Sequence, residues 1–136
     1  MNLSKLYETA INENISFFDT RIKNKAIICE LDNNYYIGLN YRKMDNSVQE
    51  KEILAEELGH YYCNALYNIN SDATTIRKKE YRAKKWAFQS LIPYQVLLSL
   101  KEQGYTAIYD IAEKLDVSQE LVETAYNYYK ENQYLY

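Results

Sequence analysis

The stretch Ile53-Leu54-Ala55-Glu56-Glu57-Leu58-Gly59-His60 sets three ionisable side chains inside an apolar helical repeat. Leu54, Leu58, Tyr61, Ala65 and Ile69 recur at intervals of three and four, and the spacing predicts an amphipathic helix over 47–67. At about 100° per residue, Glu56 lies roughly 40° to one side of His60 and Glu57 roughly 60° to the other. The three side chains share a face and can converge on one point. His60 is the only histidine in the chain.

A second helix is predicted over 73–91, ending before Pro93, which disfavours a helical conformation at Ile92. Ile76, Glu80, Ala83, Ala87 and Leu91 form one stripe, so a carboxylate stands in the middle of an otherwise apolar face. A buried carboxylate requires a cation, a metal or hydrogen bonds. A metal shared with His60 meets that requirement; an ion pair with Arg77 or Lys84 one turn away is the alternative. The small residues Ala83 and Ala87 let the two helices approach closely.

Toward the N-terminus, Leu3, Leu6, Tyr7, Ala10 and Ile11 predict a short helix over 3–12. The β-branched and aromatic runs 15–18, 26–31 and 35–39 read as strands, and Asp32-Asn33-Asn34 is hairpin-turn chemistry, which together predict a small antiparallel sheet. Beyond Pro93, helices are expected over 94–103, 107–115 and 118–132, with a break at Gly104. Ser118 is a candidate N-cap, with Val117 and Val122 spaced as a hydrophobic staple. The expected fold class is α+β. The sheet packs with the two site-bearing helices in a domain over 1–93, and a helical tail over 94–136 packs on it.

The chain of 136 residues is long enough for one real core, and its 47% apolar and 26% charged content excludes a disordered chain. Sixteen tyrosines bring apolar area with hydroxyls that need partners, and they read as core and rim packing. A net charge of −3 argues against a general nucleic-acid binder, and the segment 101–136 carries three Lys against seven Asp or Glu, so its helix-turn-helix cadence is not expected to read DNA. Two cysteines make no disulfide framework, and no run reaches the length of a membrane span; a cytoplasmic protein with protein partners is expected.

In the zinc-peptidase pattern H-E-x-x-H, residues i and i+4 hold the metal and the Glu after the first is the general base. Here the first ligand position holds Glu56. On its own, E-x-x-H is a weak signal that more often marks a solvated acidic helix face with one incidental His. Cys63, one turn after His60, is a small buried hydrophobe or a replacement ligand, and Tyr61 and Tyr62 are not singled out for any role. The basic run Arg77-Lys78-Lys79, continued by Arg82, Lys84 and Lys85, is a solvated face or a surface that steers an acidic stretch of substrate.

Taken together, the sheet, then Ile53-Leu54-Ala55-Glu56-Glu57-Leu58-Gly59-His60, then Glu80-x-x-Ala83-x-x-Trp86-Ala87 and Leu91-Ile92-Pro93, resemble the ImmA/IrrE metallopeptidases, most strongly over 50–93. The resemblance implies a zincin-like fold in which His60 and Glu80 match metal ligands and Glu57 matches the catalytic Glu. Glu56 stands where most members carry a His, a variant that members from phage and mobile elements share. The implied cofactor is one Zn²⁺ per chain, with Mn²⁺ or Fe²⁺ as alternatives for an oxygen-rich ligand set. The implied function is cleavage of a helix-turn-helix repressor, with no direct nucleic-acid or membrane contact; the substrate-binding residues are unassigned. The rival is a non-catalytic antirepressor or protein-binding module on the same fold, and a structural helical protein is the third reading.

Overall fold

The computed structural model describes residues 1–68 and 70–132. They form two compact units, Met1–Ala87 and the part from Phe88 onward, and the architecture is α+β. No described helix is long and apolar enough to cross a membrane.

In the first unit, helix α1 (Leu3–Asn12) leads into strands β1 (Ser16–Asp19), β2 (Ala26–Leu31) and β3 (Asn34–Leu39). Asp32 and Asn33 both take positive φ, 53° and 65°, the geometry of a two-residue turn whose twist matches that of the strands it joins. That turn sets β2 antiparallel to β3 with Leu31 opposite Asn34. The expected all-antiparallel sheet is corrected at β1, which pairs parallel to β3, Ser16 opposite Tyr36, in the order β1-β3-β2. The reason lies in residues 20–25, which carry the chain past the end of β3 instead of folding it back as a hairpin. Buried Asn40 secures that crossing: its Nδ2 donates to the Ile22 carbonyl at 2.7 Å and its backbone N to the Lys25 carbonyl at 2.8 Å, while Lys43 Nζ donates to the Lys23 carbonyl. Gly38 in the central strand is covered by the Phe18 ring, which a Cβ at that position would overlap.

Helix α2 (Ser47–Tyr62) starts at Asn46, whose side chain accepts from Gln49 N at 2.8 Å, and Gln49 Oε1 accepts in return from Asp45 N. It stops five residues earlier than the spacing predicts. Asn64 takes φ 50°, and the bonds Ala65 N to His60 O (2.8 Å) and Asn64 N to Tyr61 O (3.2 Å) complete a Schellman motif with Asn as its left-handed residue. Ala65 is thus buried outside the helix, and Ile69 lies outside the described residues. The same pair of bonds closes α1 at Asn14. Leu6 and Ala10 of α1 are buried, but Ile11 is 61% exposed and belongs to the solvent face. Tyr7 ties α1 to α2 through a hydrogen bond to Glu50, and burial together with that bond pushes its phenol well up.

Helix α3 (Ala73–Leu91) begins after Asp72, whose side chain accepts from Thr75 N at 2.7 Å; that bond holds the carboxyl below its usual range. In the second unit, α4 (Tyr94–Glu102), α5 (Ile108–Leu115) and α6 (Gln119–Glu131) follow. Gly104 at φ 98° and Asp116 at φ 55° terminate α4 and α5, and Ser118 caps α6 by accepting from Leu121 N. Val117 and Val122 are both buried. Tyr129 O–H donates to the Ile92 carbonyl at 2.7 Å, and Phe88 packs against Tyr128 and Tyr129.

Candidate metal centre

Glu56, Glu57 and His60 come from α2 and Glu80 from α3, so the site depends on how closely these helices approach. Gly59 sets that distance: a Cβ there would overlap the backbone carbonyl of Ala83. The small residue on each helix lets backbone meet backbone, and one residue on, the His60 side chain reaches Glu80. His60 Nε2 lies 3.3 Å from Glu80 Oε1. One ligand atom each from Glu56, His60 and Glu80 lies within 4.8 Å of the other two. His60 is 5% exposed, and the Glu80 side chain is 29% exposed, so the cluster opens to solvent on one side.

The ring of His60 is oriented by the helix terminus. The Schellman turn aims the Ala65 carbonyl at Nδ1, which donates to it at 2.9 Å. Nδ1 therefore carries a proton, and Nε2 faces the two carboxylates, the arrangement in which a backbone acceptor fixes a ligand histidine's tautomer. Two residues on, Tyr67 O–H donates to Glu80 Oε1, and its ring meets His60 edge-on at 5.8 Å. Between them, the Leu66 carbonyl accepts from Lys79 Nζ. Three consecutive residues, Ala65-Leu66-Tyr67, thus hold the imidazole, anchor to α3 and hold the carboxylate.

The electrostatics of the cluster are set by burial and by the closeness of its carboxyl groups. Burial pushes Glu56 up to about 7, helped by the hydrogen bond it donates to Glu80 and by Glu80's charge, with Lys84 opposing. Burial pushes Glu57 up to about 8, and the charges of Glu56 and Glu80 add to it. At Glu80 burial also raises, but the hydrogen bonds from Tyr67 and Glu56 and the charges of His60 and Lys84 outweigh it, and its carboxyl falls below the usual range. One imidazole nitrogen and two carboxylate oxygens converging in a partly desolvated pocket fit a divalent metal of the first transition row. A bound cation would replace the shared proton between Glu56 and Glu80.

Glu57 contributes no atom to that three-residue cluster, although it feels the charge of two members. Arg77 donates to Thr74 Oγ1, and among the described residues the basic group within ion-pair distance of Glu80 is the His60 imidazole. Cys63 is not in the cluster; its thiol donates to the Arg82 carbonyl at 3.7 Å. Tyr61 O–H donates to Glu13 and Tyr62 stacks on Trp86, so both have structural partners. Sequence reading missed Tyr67, Ala65 and the contact made by Gly59. Asn64, a residue able to end a helix in the left-handed region, was the available signal for the first two.

Comparisons of the chain with curated proteins and with solved structures gave no match. A family model does match, Peptidase_M78, described as the IrrE N-terminal-like domain, over residues 8–126. That span takes in both helices of the site and carries with it a metallopeptidase-type function. The chain belongs to the Peptidase_M78, or IrrE N-terminal-like domain, family.

Proposed function

We propose that this protein is a metal-dependent endopeptidase whose substrate is a helix-turn-helix repressor of a phage or mobile element, and that one cut relieves repression. The observation that carries the chemistry is the convergence of Glu56, His60 and Glu80 within 4.8 Å, with His60 Nδ1 committed to the Ala65 carbonyl. Glu56, His60 and Glu80 would hold the ion, zinc in the first instance and Mn²⁺ or Fe²⁺ as alternatives. When bound, such an ion supplies Lewis acidity that polarises a peptide carbonyl and acidifies water.

Glu57 is the general base. Its carboxylate takes a proton from the attacking water as the water oxygen bonds to the peptide carbon, and passes that proton to the leaving nitrogen as the C–N bond breaks. To act, it must be ionised. Burial and the neighbouring carboxylates oppose this in the metal-free site. Compensating the charges of Glu56 and Glu80 removes the repulsive part and leaves burial, which keeps the base strong. His60 and Glu80 are held by Ala65 and Tyr67, so the site needs little reordering to act.

Glu56 in place of a histidine adds a second anionic ligand. Around a doubly charged ion the set sums to zero, against +1 for two histidines and one carboxylate, and water there is less acidic than the ~7 of strongly activating zinc sites. The same substitution supports a second reading, an antirepressor that binds without cutting.

Co-expression with a candidate helix-turn-helix repressor separates the two. The peptidase reading expects repressor fragments with wild type, and with Glu57→Gln a loss of cleavage of about 10²–10⁴-fold with binding retained. Equal derepression by both proteins, with no fragment, would establish the binding reading instead.

A further inference from the structure

Helix α3 carries a second surface that the metal centre does not use. Between residues 77 and 85 stand six of the chain's 16 Lys and Arg with the single acid Glu80, while the rest of the chain has 10 Lys or Arg against 18 Asp or Glu. Lys79 is spent inside the fold, on the Leu66 carbonyl. Arg77, Lys78, Tyr81 and Arg82 line a shallow open concavity of about 590 Å³. Tyr81 is 57% exposed and is its aromatic lining residue, with Lys85 Nζ 5.8 Å from its ring centre.

Among the described residues no carboxylate forms an ion pair with Lys78 or Arg82. These two cations stand at i and i+4, a like-charge spacing that is unfavourable on a helix surface. On the helix, Arg77 and Lys84 lie about 40–60° from Glu80, and Tyr81, Lys85, Lys78 and Arg82 continue round to about 200°. Lys84 already acts on the charges of Glu56 and Glu80. A positive strip therefore runs from the edge of the metal centre round to the concavity.

We propose that this face docks an acidic, extended polypeptide segment. A protein anion fits better than a nucleic acid: the strip spans about two helical turns, roughly 12 Å, and the remainder of the chain is strongly acidic and would repel a phosphate backbone. Resting on the peptidase reading, the placement adds a rule for substrates. The concavity lies about 10 Å round the helix from Glu80, the reach of three extended residues, so the acidic residues stand about three or four positions from the bond cut.

Fluorescence anisotropy of the full-length protein with a labelled Glu/Ser peptide, beside a Gln/Ser peptide and a DNA duplex, tests the surface without requiring cleavage. The acidic peptide is expected to bind best and to weaken with added salt. Lys78→Glu with Arg82→Glu should lower its affinity at least ~10-fold, and the neutral pair Lys78→Gln with Arg82→Gln by less, both with unchanged helix content by circular dichroism. Equal binding of the Glu/Ser and Gln/Ser peptides, indifference to charge reversal, or tighter binding of the duplex would overturn the proposal. Because Glu57→Gln should bind the peptide as wild type does, a failed cleavage assay with intact peptide binding would count against the peptidase alone.

Discussion

The two compact units solve opposite problems. From Phe88 onward the interior is apolar, with Leu97, Leu100, Ile111, Ala112, Val122 and Ala125 buried, and its principal polar group, the Tyr129 hydroxyl, is satisfied by the Ile92 carbonyl. In Met1–Ala87 the helix that carries the site brings Glu56, Glu57 and His60 into partial or full burial, and two of the three are carboxyls held far from their ordinary ionisation. Truncating a side chain should therefore destabilise the second unit, whereas neutralising a site carboxyl should stabilise the metal-free first. Sites that bind or react commonly oppose stability in this way.

The largest effect is expected in the apolar unit. Leu97→Ala should cost about 3 kcal/mol in denaturant unfolding, since the side chain is almost fully buried. Gly59→Ala should cost about 2 kcal/mol, because the new methyl meets backbone and not a movable side chain. It should also weaken metal binding by separating α2 from α3. Unchanged metal affinity in Gly59→Ala would show that the close approach is not what assembles the site.

Glu57→Gln inverts the sign. The folded carboxyl is raised to about 8 from an ordinary value of 4.5, so its stabilising contribution is present below about pH 4.5 and is lost as pH rises through about 8. Gln does not titrate. The stability of metal-free Glu57→Gln relative to wild type should thus grow across that window, with a slope no steeper than about 1.4 kcal/mol per pH unit. A difference that stays flat with pH would place Glu57 in ordinary solvent.

The smallest effect is expected for Tyr67→Phe, which removes one hydrogen bond to Glu80 and keeps the ring against His60. Metal affinity by chelator competition should fall about 10-fold, within the range for losing a group that orients a ligand. No change would make Tyr67 a bystander.

The parts of this comparison that were legible in the sequence are those fixed by periodicity. Glu56, Glu57 and His60 share a face because a helix repeats every 3.6 residues, and Glu80 interrupts an apolar stripe of which Ala83, Ala87 and Leu91 are buried and Ile76 half-buried. The Asp32-Asn33 turn was legible from its residue types. What escaped is set by single backbone conformations or by distant pairing. Asn64 ends α2 through one left-handed residue, which periodicity does not register, and with it went the roles of Ala65 and Tyr67. The parallel pairing of β1 follows from the path of 20–25, which Asn40 secures from beyond β3, and nothing local in β1 records it.

The central claim is that Glu56, His60 and Glu80 form one metal site, and the metal content of the purified protein tests it most directly. Mass spectrometry of protein prepared without chelator should find about one divalent transition-metal ion per chain. His60→Ala should lose it, since no other imidazole exists to replace the ligand, and Glu57→Gln should keep it. Less than about a tenth of an equivalent in the wild type, even after zinc or manganese is added, would contradict the account.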